Sequence, residues 1–231
     1  MKAQIVTRGI VLSRRDYQEA DRILHVLTPD NGRLSIIAKG VRRPKSKMAG
    51  GIELFTINEL TIMPSKSDLK TLISSRMAVN YGNIVKDIQR TMFGYDLIKQ
   101  LNRYIEDEAG EEYFDLLSAA LAGLNDADVP LPYIETWFAL QLLQITGHAP
   151  NLSTDTEGNK LSAEESYLFD FESSGFRVQD GGPYNVNHLK LLRLIHSLQS
   201  PVLLKQVQDA DEYIAALQPL SKNLLRQSID R

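Results

Sequence analysis

The sequence predicts an α+β, multidomain protein: a small five-stranded β-barrel followed by an α-helical bundle that carries a hairpin insertion. Two observations predict it, and both change at the same place. Over residues 1–80 the apolar residues come in short β-branched runs separated by turn signals, whereas after Tyr81 they recur at three- and four-residue steps. Charge divides there too. Met1 to Asn80 holds 14 Lys and Arg against 7 Asp and Glu, a balance of +7, while the remainder holds 12 against 22, a balance of −10. The net charge of −3 therefore averages a basic part and an acidic part, which points to a polyanion-facing domain joined to one with another task.

The strands are "QIVTRGIVLS", "RILHVLT", "RLSIIAKG", "GIELFTINELTIM" and "DLKTLISSRMAV", with Asn31-Gly32 as a hairpin turn between the second and third. Strands this short and this many suggest closure into a barrel. Ile84, Ile88, Met92, Tyr95, Ile98, Leu101 and Ile105 form the stripe of a long amphipathic helix. A second helix runs through "EEYFDLLSAALAGL". A third starts at Pro132 and stops at Gly147, the usual proline-first, glycine-last order. Further helices follow in "NVNHLKLLRLIHSLQS" and from about Val207 to Ile229, interrupted at Pro201 and Pro219. The domains are thus 1–80 and 81–231, with a polar insertion over 148–186. Within it, Ser162 and Glu165 read as the capping box of a short helix, and "YLFDF" and "GFRVQ" around "ESSG" read as a hairpin.

Several chemistries are excluded. The chain has no cysteine, so disulfides, thiolate metal sites and cysteine nucleophiles are out. No run approaches the ~18 apolar residues of a membrane span, and the first residues lack the order of a secretory signal, so the expected location is the cytoplasm. His188 and His196 stand eight apart on a helix, roughly 12 Å along its axis, too far to share a metal. "GVRRPKS" fails as a phosphate loop because the residue before Lys45 is Pro44, which has no N–H to offer. Glu111-Glu112 and Glu164-Glu165 read as helix-start acids. No catalytic residue is assigned, and the protein is expected not to be an enzyme.

What remains is "KGVRRPKSKMAGG". From Asn31 through Ile52 there is no acid, while Arg33, Lys39, Arg42, Arg43, Lys45 and Lys47 all fall inside. Pro44 keeps the run non-helical, so the cations are strung along a strand-to-strand connection that can follow a phosphate backbone. Residues 1–80 hold two aromatics, Tyr17 and Phe55, so base stacking should be minor. Five phosphate contacts give a log–log salt slope of roughly −3.5 and weak sequence preference. Gly50-Gly51 is expected to be the flexible end of the track.

The segment "GIVLSRRDYQEADRILHVLTPDNGRLSIIAKGVRRPKSKMAGGIELF" resembles the N-terminal signature of the RecO family of bacterial recombination mediators, and "TGHAPNL" is similar to that family's motif after a helix. The resemblance implies an N-terminal OB-fold, a helical C-terminal domain and a nucleoid-associated cytoplasmic protein that mediates DNA repair and homologous recombination. Its implied partners are single- and double-stranded DNA, RecR, the acidic tail of single-strand binding protein, often RecF, and RecA indirectly. Arg33, Lys39, Arg42, Arg43, Lys45 and Lys47, with Arg14 and Arg15, would contact DNA. The tail would dock beside a cation among Lys99, Arg103, Lys190 and Arg193. Many family members brace the insertion with a four-cysteine zinc site. Here Thr154 and Glu157 replace the first pair and the second, near Val178 to Gly182, is missing. The expectation is therefore no metal and no cofactor, with the hairpin held by Leu161, Tyr167, Leu168, Phe169, Phe171 and Phe176. Two other classes stay open: an RNA-binding OB module, and a protein–protein scaffold that uses the basic loop on an acidic partner.

Overall fold

The computed structural model describes residues 3–44, 46, 48–105 and 110–229, the side chains of Ala49 and Ile229 excepted. Five strands close a barrel in the order β1-β2-β3-β5-β4: β1 (Ile5–Tyr17), β2 (Asp21–Thr28), β3 (Gly32–Ala38), β4 (Thr56–Met63) and β5 (Leu69–Asn80). β1 pairs antiparallel with both β2 and β4, and a short parallel stretch, Ser35–Ile37 on Leu69–Thr71, completes the ring. This is the OB-like barrel that the strand pattern and the resemblance predict. The β2–β3 turn sits where Asn31-Gly32 places it: Gly32 takes φ +59°, and the Thr28 hydroxyl donates to its carbonyl while accepting from the Asn31 N–H. Gly9 leaves room for the side chains of both neighbouring strands, since a Cβ there would lie 2.5 Å from Val26 Cγ1 of β2 and 2.6 Å from Leu60 Cδ1 of β4. The core is Val11, Leu24, Val26, Leu34, Ile36, Leu60, Ile62 and Leu72 with their neighbours.

Compactness divides the chain at Asp126, into Met1–Asp126 and Ala127–Arg231, rather than where strands give way to helices. The first unit includes α1 (Ile88–Tyr104) and α2 (Glu111–Asn125). Asp87 caps α1 by accepting from the N–H groups of Gln89 and Arg90. Gly94 brings α1 against the barrel, because a Cβ there would stand 2.7 Å from the Phe55 ring. Arg90 donates to the Leu124 and Asp126 carbonyls at 3.0 Å each, tying α1 to the end of α2. Arg8 of β1 lies 5.4 Å over the Phe114 ring of α2.

The second unit is built on α3 (Leu131–Ile145), which is buried nearly all round and packs against α4 (Val186–Ser197) and α5 (Ala210–Ile229). Pro219 does not interrupt α5. A proline inside a helix costs about 3 kcal/mol, but burial of Ile214, Leu217, Leu220 and Leu224 on the same helix contributes roughly 1.5–3 kcal/mol each. The helix therefore continues. Two short strands, β6 (Tyr167–Asp170) and β7 (Gly175–Val178), form the hairpin read from the sequence. No helix forms over residues 162–165. The Ser162 hydroxyl accepts from Glu164 rather than Glu165, and the Tyr167 hydroxyl takes both the N–H and the carbonyl of Ser162. Among the described residues, no helix is long and apolar enough to cross a membrane.

Candidate nucleic-acid interface

The basic stretch forms the connection from β3 to β4, and it is pinned rather than loose. Val41 and Ile52 are buried in the barrel core, and Met48 and Leu54 pack against it. Gly40, at φ +65°, donates its N–H to the Asp21 carboxylate at 2.7 Å. The Arg42 N–H reaches the Ala20 carbonyl at 2.9 Å, and two turns follow through Arg43 to Gly40 and Ser46 to Arg43. With the apolar side chains turned in, Lys39, Arg42 and Arg43 are left exposed. Gly50-Gly51 is not a flexible end: it belongs to a 3₁₀ turn, and Gly51 is buried against Ser75, whose hydroxyl donates to the Gly51 carbonyl. Any Cβ at Gly51 would collide with Ser75. The glycine permits close backbone approach to β5.

A run without acids in sequence is not without them in space. The β1–β2 hairpin sets Asp16, Glu19 and Asp21 beside the loop. Arg22 Nε donates to Asp16 at 2.9 Å and Arg42 lies 3.5 Å from it. The Arg22 hydrogen bond, helped by the charges of Arg42 and Arg14, holds the Asp16 carboxyl below its usual range against the opposing effect of desolvation. Arg14 pairs with Glu53, and Arg33 Nη1 donates to Asn102 of α1 at 3.4 Å. Lys39, Arg43 and Arg15 differ. They are exposed and form no ion pair among the described residues, and Lys39 and Arg43 line an open groove of about 540 Å³ with Gln18, Glu19, Asp21 and Gly40. Lys45 and Lys47 lie outside the described residues. The stretch thus sorts into cations held by the protein and cations turned outward.

Of the four candidate partner cations, Lys99 and Arg103 are exposed on α1 and Lys190 on α4. Arg193 is occupied: Nε and Nη2 donate to the Leu152 carbonyl at 2.9 and 2.6 Å. Lys99 and Arg103 belong to the first compact unit, and Lys190 and Arg193 to the second.

In the insertion, the turn that carries Thr154 and Glu157 closes on a carboxylate. Asp155 accepts from the N–H groups of Glu157 and Asn159 at 2.9 and 2.8 Å, and from the Asn159 side chain. Desolvation pushes its carboxyl up, but these bonds outweigh it and hold it below the ordinary value. Edge-to-face rings continue inward as a ladder, Phe171–Phe169–Phe176–Tyr184–His188–Tyr213, with centroids 5.0–5.8 Å apart. Tyr167 and Phe176 are fully buried, while Leu161, Leu168 and Phe171 are half-buried. Tyr184, His188 and Tyr213 are the members that pattern reading missed, because they lie outside the hairpin, beside or on α4 and α5. Among the described residues, no cluster of three His, Asp or Glu could hold a metal ion.

Comparison with known proteins bears on this barrel and its loop. A model of the recombination protein O N-terminal region matches residues 1–81, and one of its C-terminal region matches residues 86–228. The chain belongs to the RecO family. It is 32% identical over 203 residues to the DNA repair protein RecO of Dehalococcoides mccartyi, covering 84% of this chain and 79% of that one. It is 29% identical over 243 residues to the RecO of Exiguobacterium sp., covering 96% and 95%. The RecO N-terminal match spans the whole barrel and its basic connection. The C-terminal match begins two residues before α1 and so runs across the compact boundary at Asp126.

Proposed function

We propose that this chain is a DNA repair and recombination mediator that binds single- and double-stranded DNA largely through phosphates. It brings complementary strands together, and with RecR it helps RecA onto DNA covered by single-strand binding protein. The observation that carries the reading is a pinned, outward-facing cationic loop on the barrel of a RecO family member. Cations on such a loop neutralise phosphates of two strands that otherwise repel, and two barrel aromatics leave the bases free to pair. The acidic tail of single-strand binding protein is assigned to the helical part, where Lys190 is exposed and Arg193 is committed to Leu152.

A strand-annealing assay, run with and without single-strand binding protein, tests the reading. Replacement of Arg42, Arg43, Lys45 and Lys47 by Ala should slow annealing and reduce the salt slope of single-strand binding by roughly 2.8. An unchanged slope would remove the loop from the interface.

A further inference from the structure

The first part of the amphipathic stripe, from Ile88 to Tyr95, lies at the surface. Val85 is 64% exposed, Ile88 74%, Met92 59% and Tyr95 47%. At about 100° per residue, Ile88, Met92, Tyr95, Lys99 and Arg103 share one face of α1. Asp96, the only acid of that helix, borders this face about 20° round from Arg103. The face is apolar in its first half and cationic in its second. Beside its start lies a groove of about 320 Å³ lined by Gly50, Glu53, Phe55, Met77, Tyr81 and Val85, in which Glu53 is paired with Arg14, so the end of the basic loop reaches the face through Phe55. Phe55, the floor of this junction, takes a left-handed φ of +60° and contacts the Tyr95 ring edge-on at 5.3 Å. Near its other end, Arg33 donates to Asn102.

We infer that this face of α1 is a second track for single-stranded nucleic acid, on which bases lie against Ile88, Met92 and Tyr95 while Lys99 and Arg103 hold phosphates. The inference rests on the nucleic-acid reading of the loop and departs from its phosphate-only form. Continuity selects the occupant: the face meets the end of the loop through Phe55 and joins Arg33 through Asn102, and its charges have the sign that phosphates require. A duplex keeps its bases stacked inside and offers an apolar surface only sugar and phosphate. The face should therefore favour single strands. It also gives Lys99 and Arg103 to the strand rather than to an acidic tail.

The test uses the full chain and three fluorescein-labelled probes: an oligothymidylate of about 20 nucleotides, longer than the roughly 4–16 that an OB fold occupies, an abasic strand of equal length, and a matched duplex. The expected result is binding of oligothymidylate about tenfold tighter than the abasic strand. Met92→Asp and, separately, Ile88→Asp should abolish that difference without changing abasic or duplex binding; both sites are exposed, so folding is not at stake. Lys99→Ala with Arg103→Ala should lower the salt slope by about 1.4. Equal binding of the abasic strand by the unaltered protein, or a difference that survives Met92→Asp, overturns the inference. So does a Met92→Asp protein that keeps all three affinities but loses an Asp-rich peptide ending in Phe, since the face would then be a protein dock. Failure of the loop reading is distinguishable: Lys39→Ala with Arg43→Ala would then leave the affinity of all three probes and its salt slope unchanged.

Discussion

The β3–β4 loop and the 148–186 insertion are both long and polar, yet they treat their charged groups in opposite ways. In the loop the apolar residues are buried and cations such as Lys39 and Arg43 form no ion pair among the described residues. In the insertion the polar groups are consumed internally: Asp155 on three N–H donors, the Tyr167 hydroxyl on Ser162, and Arg193, from α4, on the Leu152 carbonyl. A segment whose charges are satisfied within the chain is bracing itself. One whose charges are turned outward on a fixed frame is prepared for an external partner.

The largest effect that would break this comparison lies in the ladder. Phe176→Ala removes a fully buried ring that touches three others and should lower the stability of the second unit by about 3–5 kcal/mol in chemical denaturation, with DNA affinity at a permissive temperature unchanged. Next comes the loop: Lys39, Arg43 and Arg15 together changed to Ala should weaken single-strand binding about tenfold to a hundredfold and cut the salt slope by roughly 2.1, leaving the melting temperature within a degree or two. Arg42→Ala should cost less than Arg43→Ala in binding, because Asp16 already holds Arg42; equal losses would erase the distinction between held and outward cations.

A smaller effect should appear with pH. Burial pushes His188 below its usual 6.5, against the pull of Glu212, and its Nδ1 accepts the Asn185 N–H in the α4 cap. Because its folded value is the lower one, its contribution is complete above about 6.5 and falls away as pH drops toward that folded value. Acid unfolding followed through the Trp137 fluorescence of the second unit should show this loss, and His188→Asn should flatten it. Gly51→Ala should give a loss of about 1–3 kcal/mol confined to the first unit, from the collision with Ser75.

Period and turn chemistry made the strands, the helices and the barrel legible, because each is a local property of the chain. Packing was not. The row Ile88, Met92, Tyr95, Ile98, Leu101 looks continuous, but successive three-residue steps turn it by about 60° each. It therefore crosses from the exposed face to the one buried with Gly94 and Leu97. The candidate site was legible as a run of cations and illegible as a balance of charge, since the acids that hold Arg14 and Arg42 come from outside the run, Glu53 just beyond its end and Asp16 across a hairpin. Likewise Gly51 looked like freedom and proved to be proximity, which only the position of Ser75 reveals.

The Asp155 turn carries a further consequence. A clasp made of thiolates responds to oxidants and chelators, whereas one made of a carboxylate and backbone N–H groups responds to protons. The carboxyl of Asp155 is held below its ordinary value of 3.8, so the clasp it forms stays closed until the medium is strongly acidic.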